Sequence, residues 1–213
     1  MRFLSTYKLW IAIGLIWLFH ISGIIGISIG YQDWFLTKTP LNLFICLILF
    51  IWLFPINSKK KIAAALLFFF MGMFSEWLGV NYSLLFGEYA YGSNFGPKLD
   101  GVPFLIGCLW ALLAFITASL VEIFKISRWV KLILSALLMV ALDFLMEQSA
   151  PSFDFWLFEG HVPIKNYVTW FILGFIMHLV IWKYRMYGNT ILSYNLYVAQ
   201  FLFFGYFYLF PIA

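Results

Sequence analysis

Long apolar stretches constrain this chain more than any other feature of its sequence. A helix that crosses a bilayer needs about 20 mostly apolar residues. Of the 213 residues, 64% are hydrophobic and only 10% are charged, whereas soluble domains carry about 25% charged residues. The sequence therefore predicts one all-α, polytopic membrane domain over residues 1–213, with about seven spans near 9–30, 41–57, 62–87, 102–124, 129–149, 166–184 and 190–212. A re-entrant segment would change that count to six or eight.

The distribution of basic residues predicts the orientation. With seven spans, ten of the 13 Lys and Arg residues fall on the side of the N-terminus, and only Lys38, Lys98 and Lys165 fall on the other. The positive-inside rule then places the N-terminus in the cytoplasm of a multi-pass protein of the cell membrane. Because the excess charge of +4 lies in these topological anchors, it does not indicate a nucleic-acid partner; membrane lipid is the expected surrounding.

Four carboxyl groups lie within the predicted spans: Glu76, Asp143, Glu147 and Glu122, the last at the cytoplasmic end of its span and expected to be solvated. A charge inside the bilayer is costly, so such residues usually face a cavity and serve function. Glu76 belongs to a small or polar stripe at helical spacing, with Gly72 and Gly79, that lets another helix or a ligand approach closely. Asp143 and Glu147 are one turn apart and share a face of the fifth span. The alternatives are that Glu76 only joins two helices and that Glu147 reaches the solvated interface.

Paired carboxyl groups in a low-dielectric site cannot both ionise cheaply, so one is expected to stay protonated and act as a general acid. The inventory excludes several other chemistries. Three histidines are too few for a multi-histidine di-iron site, and the final span has no lysine for a Schiff base. The sequence has no phosphate-binding loop, no glycine motif for a dinucleotide, and no aspartate-rich motif that would bind a diphosphate–magnesium complex. We therefore expect neither cofactor nor metal, and acid–base chemistry on an apolar substrate.

The two long outer loops have similar surroundings. The loops 86–103 and 151–163 each end in Val-Pro, and a tryptophan follows seven residues after each proline, at Trp110 and Trp170. Each loop also follows a span that carries a carboxyl group. This pattern favours a duplicated helix–loop–helix unit whose copies run parallel. Alternatively, the loops form only the aromatic belts that are common at membrane interfaces.

Motifs in these two blocks resemble the membrane carotenoid hydratases. The first block is Glu76-Trp-Leu-Gly79, Leu85-Phe-Gly-Glu-Tyr-Ala-Tyr-Gly92 and Gly96-Pro-Lys-Leu-Asp-Gly-Val-Pro103. The second contains Leu142-Asp143, Glu147, Ala150, Asp154-Phe-Trp156, Val162-Pro163, Asn166-Tyr167 and Trp170. The resemblance covers roughly residues 70–175. It departs from the family pattern at Gln148, where a proline is expected.

The resemblance implies addition of water to the terminal carbon 1–carbon 2 double bond of an acyclic carotenoid, giving a tertiary alcohol. We expect Asp143 to be the acid, with Glu76 or Glu147 as the base that activates water. Aromatic faces would stabilise the carbocation. The residues expected to bind the lipophilic carotenoid are Trp77, Tyr89, Tyr91, Trp110, Asn166 and Trp170. The alternatives are a carotenoid end-group cyclase or another isoprenoid-modifying enzyme, and a proton-coupled transporter of small molecules. The oligomeric state is left open.

Overall fold

A computed structural model describes residues 2–54 and 56–212 of the chain. Eight helices lie in this part: α1 (Arg2–Ser28), α2 (Gln32–Leu36), α3 (Thr39–Leu53), α4 (Lys59–Tyr82), α5 (Phe104–Val121), α6 (Arg128–Ser149), α7 (Ile164–Tyr184) and α8 (Thr190–Leu209). Four short strands lie in the connections: β1 (Tyr89–Tyr91), β2 (Lys98–Leu99), β3 (Val102–Pro103) and β4 (Trp156–Phe158). The all-α polytopic membrane fold is thereby confirmed.

Seven of these helices match the seven predicted spans in position, and α2 is a short addition. By length and composition, α1, α4, α5, α6 and α7 could each cross a membrane. Helix α3 is apolar but has only 15 residues, which is about 22 Å. Helix α8 has 20 residues but is not among the five helices that meet the length and composition expected of a membrane span. The count of seven spans therefore stays a prediction, as does the orientation.

Helix α5 lies at the centre of the bundle. Of its best spanning window, 78% is buried inside the protein, against 33% to 44% for the other four candidate spans. Helices α3, α4, α6, α7 and α8 all pack against it, and α1 packs on α8 at the edge. A helix that is apolar all round is expected to be buried in this way.

Helix α4 ends five residues earlier than the third predicted span, at Tyr82 instead of 87. Ser83 caps it in the left-handed conformation, with φ of 54°. Glu76 therefore lies six residues before the end of α4, and Asp143 lies six residues before the end of α6. At 1.5 Å per residue, both carboxyl groups are about 9 Å from the ends of their helices.

The loops 86–103 and 151–163 join each other at one end of the bundle. Strand β1 pairs antiparallel with β4, so that Tyr89 lies opposite Phe158 and Tyr91 opposite Trp156. Strands β2 and β3 form a small hairpin within the first loop. Pro103 and Pro163 occupy the N-caps of α5 and α7. The two loops therefore form one cover over α4–α7. Their pairing fixes the positions of the loop side chains that point toward the helices.

Candidate functional site

Glu76, Asp143, Glu147 and their neighbours line a small cavity at the end of α4–α7 that the paired loops cover. Its walls combine polar and aromatic side chains: Glu76, Phe86, Tyr89, Tyr91, Ile106, Asp143, Glu147, Trp156, Phe158, Asn166 and Trp170. The free space between them is close to that of a single water molecule. Polar walls and a volume of this size suit a bound water rather than a dry void.

Glu76 is held by three donors from two directions. The Trp110 Nε1–H donates to Oε1 at 2.9 Å, while the Tyr89 and Tyr91 hydroxyls donate to Oε2 at 2.5 and 2.8 Å. The residue is 3% exposed. Since α4 fixes the backbone, and α5 and β1 supply the donors, this carboxyl group has little freedom to move.

Asp143 and Glu147 form a second, linked group. The Asn166 side-chain amide donates to Asp143 Oδ2 at 2.9 Å and to Glu147 Oε1 at 3.2 Å. The Trp156 Nε1–H donates to Glu147 Oε2 at 2.7 Å. One amide from α7 therefore bridges the two carboxyl groups of α6, as their spacing of one helical turn allows.

Two stacked tryptophans, Trp110 and Trp170, form the floor of the cavity between Glu76 and the Asp143–Glu147 pair. The rings of Trp110 and Trp170 stack with their centroids 3.6 Å apart and 14° between their planes. Gly72 of α4 makes room for this pair, because a Cβ atom there would come within 2.7 Å of the Trp110 side chain. Trp110 and Trp170 occupy corresponding positions in the two similar sequence blocks, so the two blocks contact each other through these rings.

Carboxyl groups dominate the charge of the cavity. Among the residues that the structure describes, no Lys, Arg or His side chain lines it. Burial, reinforced by Glu76, raises the pKa of the Tyr89 and Tyr91 hydroxyls well above their usual range, so both remain neutral donors. Three ionised carboxylates without a cation would repel one another strongly in this buried site. The arrangement therefore provides at least one carboxylic acid beside a carboxylate.

Most residues predicted for the site are brought together. Glu76, Asp143, Glu147, Tyr89, Tyr91, Asn166 and Trp170 line the cavity, and Trp110 contacts Glu76 from below. Trp77 lies apart: its Nε1–H donates to Asp100 Oδ2 at 2.5 Å, on an outer groove of α4. Four further residues line the cavity and are not among the predicted site residues: Phe86, Ile106, Trp156 and Phe158. Trp156 belongs to the motif Asp154-Phe-Trp156. Because side chains alternate between the two faces of a strand, a strand over 156–158 would place Trp156 and Phe158 on one face.

His20, His178 and Glu122 lie away from the cavity. His178 lies deeper in α7 than the cavity, with Nε2 2.9 Å from the Thr117 hydroxyl. His20 Nδ1 lies 2.7 Å from the Ile16 carbonyl oxygen. Glu122, which follows the last residue of α5, pairs with Lys131 at 3.0 Å and is partly exposed, as expected for a solvated residue. Within residues 2–54 and 56–212, no group of three or more His, Cys, Asp or Glu is arranged to hold a metal ion.

Comparison with known proteins gives one match. A family model described as carotenoid biosynthesis protein matches residues 38–211, which include every residue of the cavity. No curated protein and no solved structure matches the chain.

Proposed function

This chain belongs to the carotenoid biosynthesis protein family, and on that basis we propose that it is a carotenoid hydratase. It adds water to the terminal carbon 1–carbon 2 double bond of an acyclic carotenoid end group and gives a tertiary alcohol. The observation that carries the proposal is a water-sized cavity between three carboxyl groups, walled by aromatic rings and without a cationic side chain in its described lining.

Asp143 is the proposed general acid. It is 1% exposed, and among described residues one side-chain donor, Asn166, contacts it. That donor binds Oδ2, which leaves Oδ1 free to carry a proton. Transfer of this proton to carbon 2 makes a new C–H bond, and the electron pair of the double bond leaves a tertiary cation at carbon 1. Trp170, Tyr89 and Phe86 line the space where that cation would form and provide the aromatic rings that stabilise it.

Glu147 is the proposed base, and Glu76 provides fixed negative charge. A water oxygen attacks carbon 1 while Glu147 takes the proton that the water loses. Asp143 then carries the negative charge and Glu147 the proton, and Asn166 contacts both groups. Return of the proton from Glu147 to Asp143 restores the starting state. Glu76, with its three donors, stabilises the cation by charge without moving.

Expression in a lycopene-accumulating bacterial host tests the proposal. The expected product is a more polar pigment, heavier by one water, with the polyene absorption unchanged. A pigment of unchanged mass but altered end group would identify the cyclase instead. Unchanged pigment, repeated with monocyclic and longer carotenoids and with the protein confirmed in the membrane, would refute both enzyme assignments. Proton-coupled uptake into vesicles would then support the transporter.

A further inference from the structure

A basic cleft lies at the opposite end of the bundle from the cavity. Residues near the starts of α5 and α7 and near the end of α6 line the cavity, whereas the cleft lies where α5 and α7 end and α6 begins. Its volume is about 360 Å³, and its lining consists of Glu122, Ile126, Arg128, Lys131, Trp182, Arg185 and Tyr187. The proposed reaction uses none of these side chains, so the cleft needs a separate explanation.

Three cationic side chains and one carboxyl group face this cleft. Lys131 Nζ lies 3.0 Å from Glu122 Oε2 and also donates to the Glu122 carbonyl at 2.9 Å, so these two charges neutralise each other. Burial, reinforced by Glu122, raises the pKa of the Tyr187 hydroxyl to about 12, so this group stays neutral beside the carboxylate. Within residues 2–54 and 56–212, neither Arg128 nor Arg185 forms a salt bridge. The two guanidinium groups therefore leave the cleft with an excess of positive charge.

Aromatic rings hold one of these guanidinium groups in place. The guanidinium carbon of Arg128 lies 5.2 Å from the centroid of the Trp129 ring and 5.1 Å from that of the Trp182 ring. Such cation–π contacts do not consume the N–H groups, which remain able to bind a phosphate through two parallel hydrogen bonds. Because the side chain is already positioned, it loses less freedom when an anion binds.

The start of α6 adds to the attraction for an anion. Arg128 is the first residue of this 22-residue helix, and the cap Ser127 accepts a hydrogen bond from the Val130 N–H at 3.4 Å. The other N–H groups of a first helical turn and the helix dipole favour negative charge there. The ends of α5 and α7 have the opposite dipole, and Lys131 and Lys183 lie at those ends to offset it.

Exposed apolar side chains adjoin the charged part of the cleft. They belong to the end of α5, the turn after it, the start of α6 and the last turn of α7, and are 37% to 61% exposed: Ile123, Phe124, Ile126, Trp129 and Trp182. Helices α5, α6 and α7 are each long and apolar enough to cross a bilayer, so their ends lie at the depth of the lipid headgroups. A phospholipid would contact both the cations and these apolar side chains, whereas a soluble anion would use only the cations.

We propose that this cleft binds the headgroup of an anionic phospholipid. Arg128 and Arg185 donate to the phosphate oxygens, and the acyl chains lie against the exposed apolar side chains. Basic pockets between membrane helices commonly bind such headgroups. The reaction in the cavity does not enter this inference, which therefore stands or falls separately from the proposed function.

Native mass spectrometry of the full chain tests the site by counting bound lipid. Protein in neutral detergent is titrated with phosphatidylglycerol or with zwitterionic phosphatidylcholine of the same acyl chains. We expect phosphatidylglycerol to bind at least tenfold more tightly, and Arg128→Gln/Arg185→Gln to abolish that preference. The matched control Lys59→Gln/Lys125→Gln removes two exposed charges at the same end of the bundle, outside the cleft lining, and should keep it. Equal binding of the two lipids by the original protein, or equal loss in both variants, would overturn the site.

Glu122→Gln tests the charge argument through a gain of binding. The substitution frees Lys131 from its carboxylate partner, so we expect severalfold tighter binding of phosphatidylglycerol, which a misfolded protein would not show. Unchanged or weaker binding would contradict the proposal. Inorganic phosphate distinguishes a lipid from a soluble anion: a molar excess should leave phosphatidylglycerol bound, and displacement at equal concentration would overturn the lipid site in favour of a soluble phosphate.

Discussion

At the scale of single residues, the three carboxyl groups differ in how many donors each receives. Glu76 accepts three hydrogen bonds, Glu147 accepts two, and Asp143 accepts one from the side chains that the structure describes. Donors stabilise a carboxylate more than the neutral acid. The group with one donor is therefore the best site for a transferable proton.

Replacing Asp143 with Asn should abolish hydration and leave a folded protein. The amide keeps the volume of the side chain but has no acidic proton, and general acid catalysis typically contributes about 10²- to 10⁴-fold. Pigment conversion is compared at equal amounts of membrane-inserted protein. Glu122→Gln, at the end of α5 and outside the cavity lining, is the control and should convert normally. Conversion by the Asp143→Asn variant at the rate of the original protein would remove Asp143 as the acid.

Matched substitutions of Trp110 and Trp77 distinguish a tryptophan that contacts Glu76 from one that lies outside the cavity. Trp110→Phe keeps a ring to stack on Trp170 but removes the N–H that binds Glu76. A hydrogen bond to a charged group is worth about 1.5–3 kcal/mol, so we expect conversion to fall about tenfold or more. Trp77→Phe removes the bond to Asp100 instead and should change conversion little. Equal losses in both variants would contradict the placement of the site.

Asp154 makes the joined outer loops sensitive to acid. The backbone N–H of Ser93 at 2.9 Å and its hydroxyl donate to Asp154 Oδ2 and lower the pKa of this carboxyl group. Its contribution to stability is therefore present above the unfolded pKa of about 3.9 and is lost as the pH falls through the lower folded value.

Asp154→Asn should lower the unfolding temperature at pH 7, and the difference from the original protein should shrink below about pH 4. Asparagine tolerates the positive φ of 52° at this position, so the change isolates the charge. Thermal unfolding in detergent across pH measures the effect, with the exposed Glu159→Gln as control. A difference that grows on acidification would contradict the assigned sign.

At the scale of elements, close packing of α4 on α5 determines where the site forms. Gly72→Ala should destabilise the protein by about 1–3 kcal/mol, because the new methyl group would overlap the rigid Trp110 indole. It should also reduce conversion, since Trp110 would shift away from Glu76. Thermal unfolding and pigment conversion measure the two effects. Gly14→Ala in α1 is the control, because its Cβ would meet nothing within 4 Å; equal destabilisation there would contradict the packing argument.

The long helices and most of the residues that meet at the cavity could be predicted from the sequence, for physical reasons. Apolar length and membrane-embedded carboxyl groups are local signals that need no tertiary information. The end of α4 was placed five residues late because Ser83–Gly87 is as apolar as the helix before it, and only the left-handed Ser83 ends the helix. Trp77 follows Glu76 directly and so shared its motif, but adjacent helical residues are about 100° apart and Trp77 faces outward.

At the scale of the whole molecule, the orientation in the membrane can be tested directly. We predict the N-terminus and the loop 122–127 on the cytoplasmic side of the cell membrane, and the loops over the cavity on the outer side. In intact cells, a membrane-impermeant maleimide should label Glu159→Cys, and should label Lys125→Cys only after the membrane is opened. The reverse pattern would invert the orientation.

The two helix–loop–helix units form the site jointly. Contacts between corresponding elements, β1 with β4 and Trp110 with Trp170, lie at the junction of α4–α5 with α6–α7. Each unit contributes carboxyl groups, Glu76 from one and Asp143 with Glu147 from the other. A parallel duplication would produce such a junction, and the cavity exists only where both units meet.

The origin of the product oxygen tests hydration most directly. Purified protein in detergent is incubated with lycopene in water enriched in oxygen-18, with and without dissolved oxygen gas, and the extracted pigments are analysed by mass spectrometry. We predict a tertiary alcohol that carries the heavy oxygen and forms equally well without oxygen gas. A product without added oxygen, or one whose oxygen comes from the gas, would contradict the hydratase.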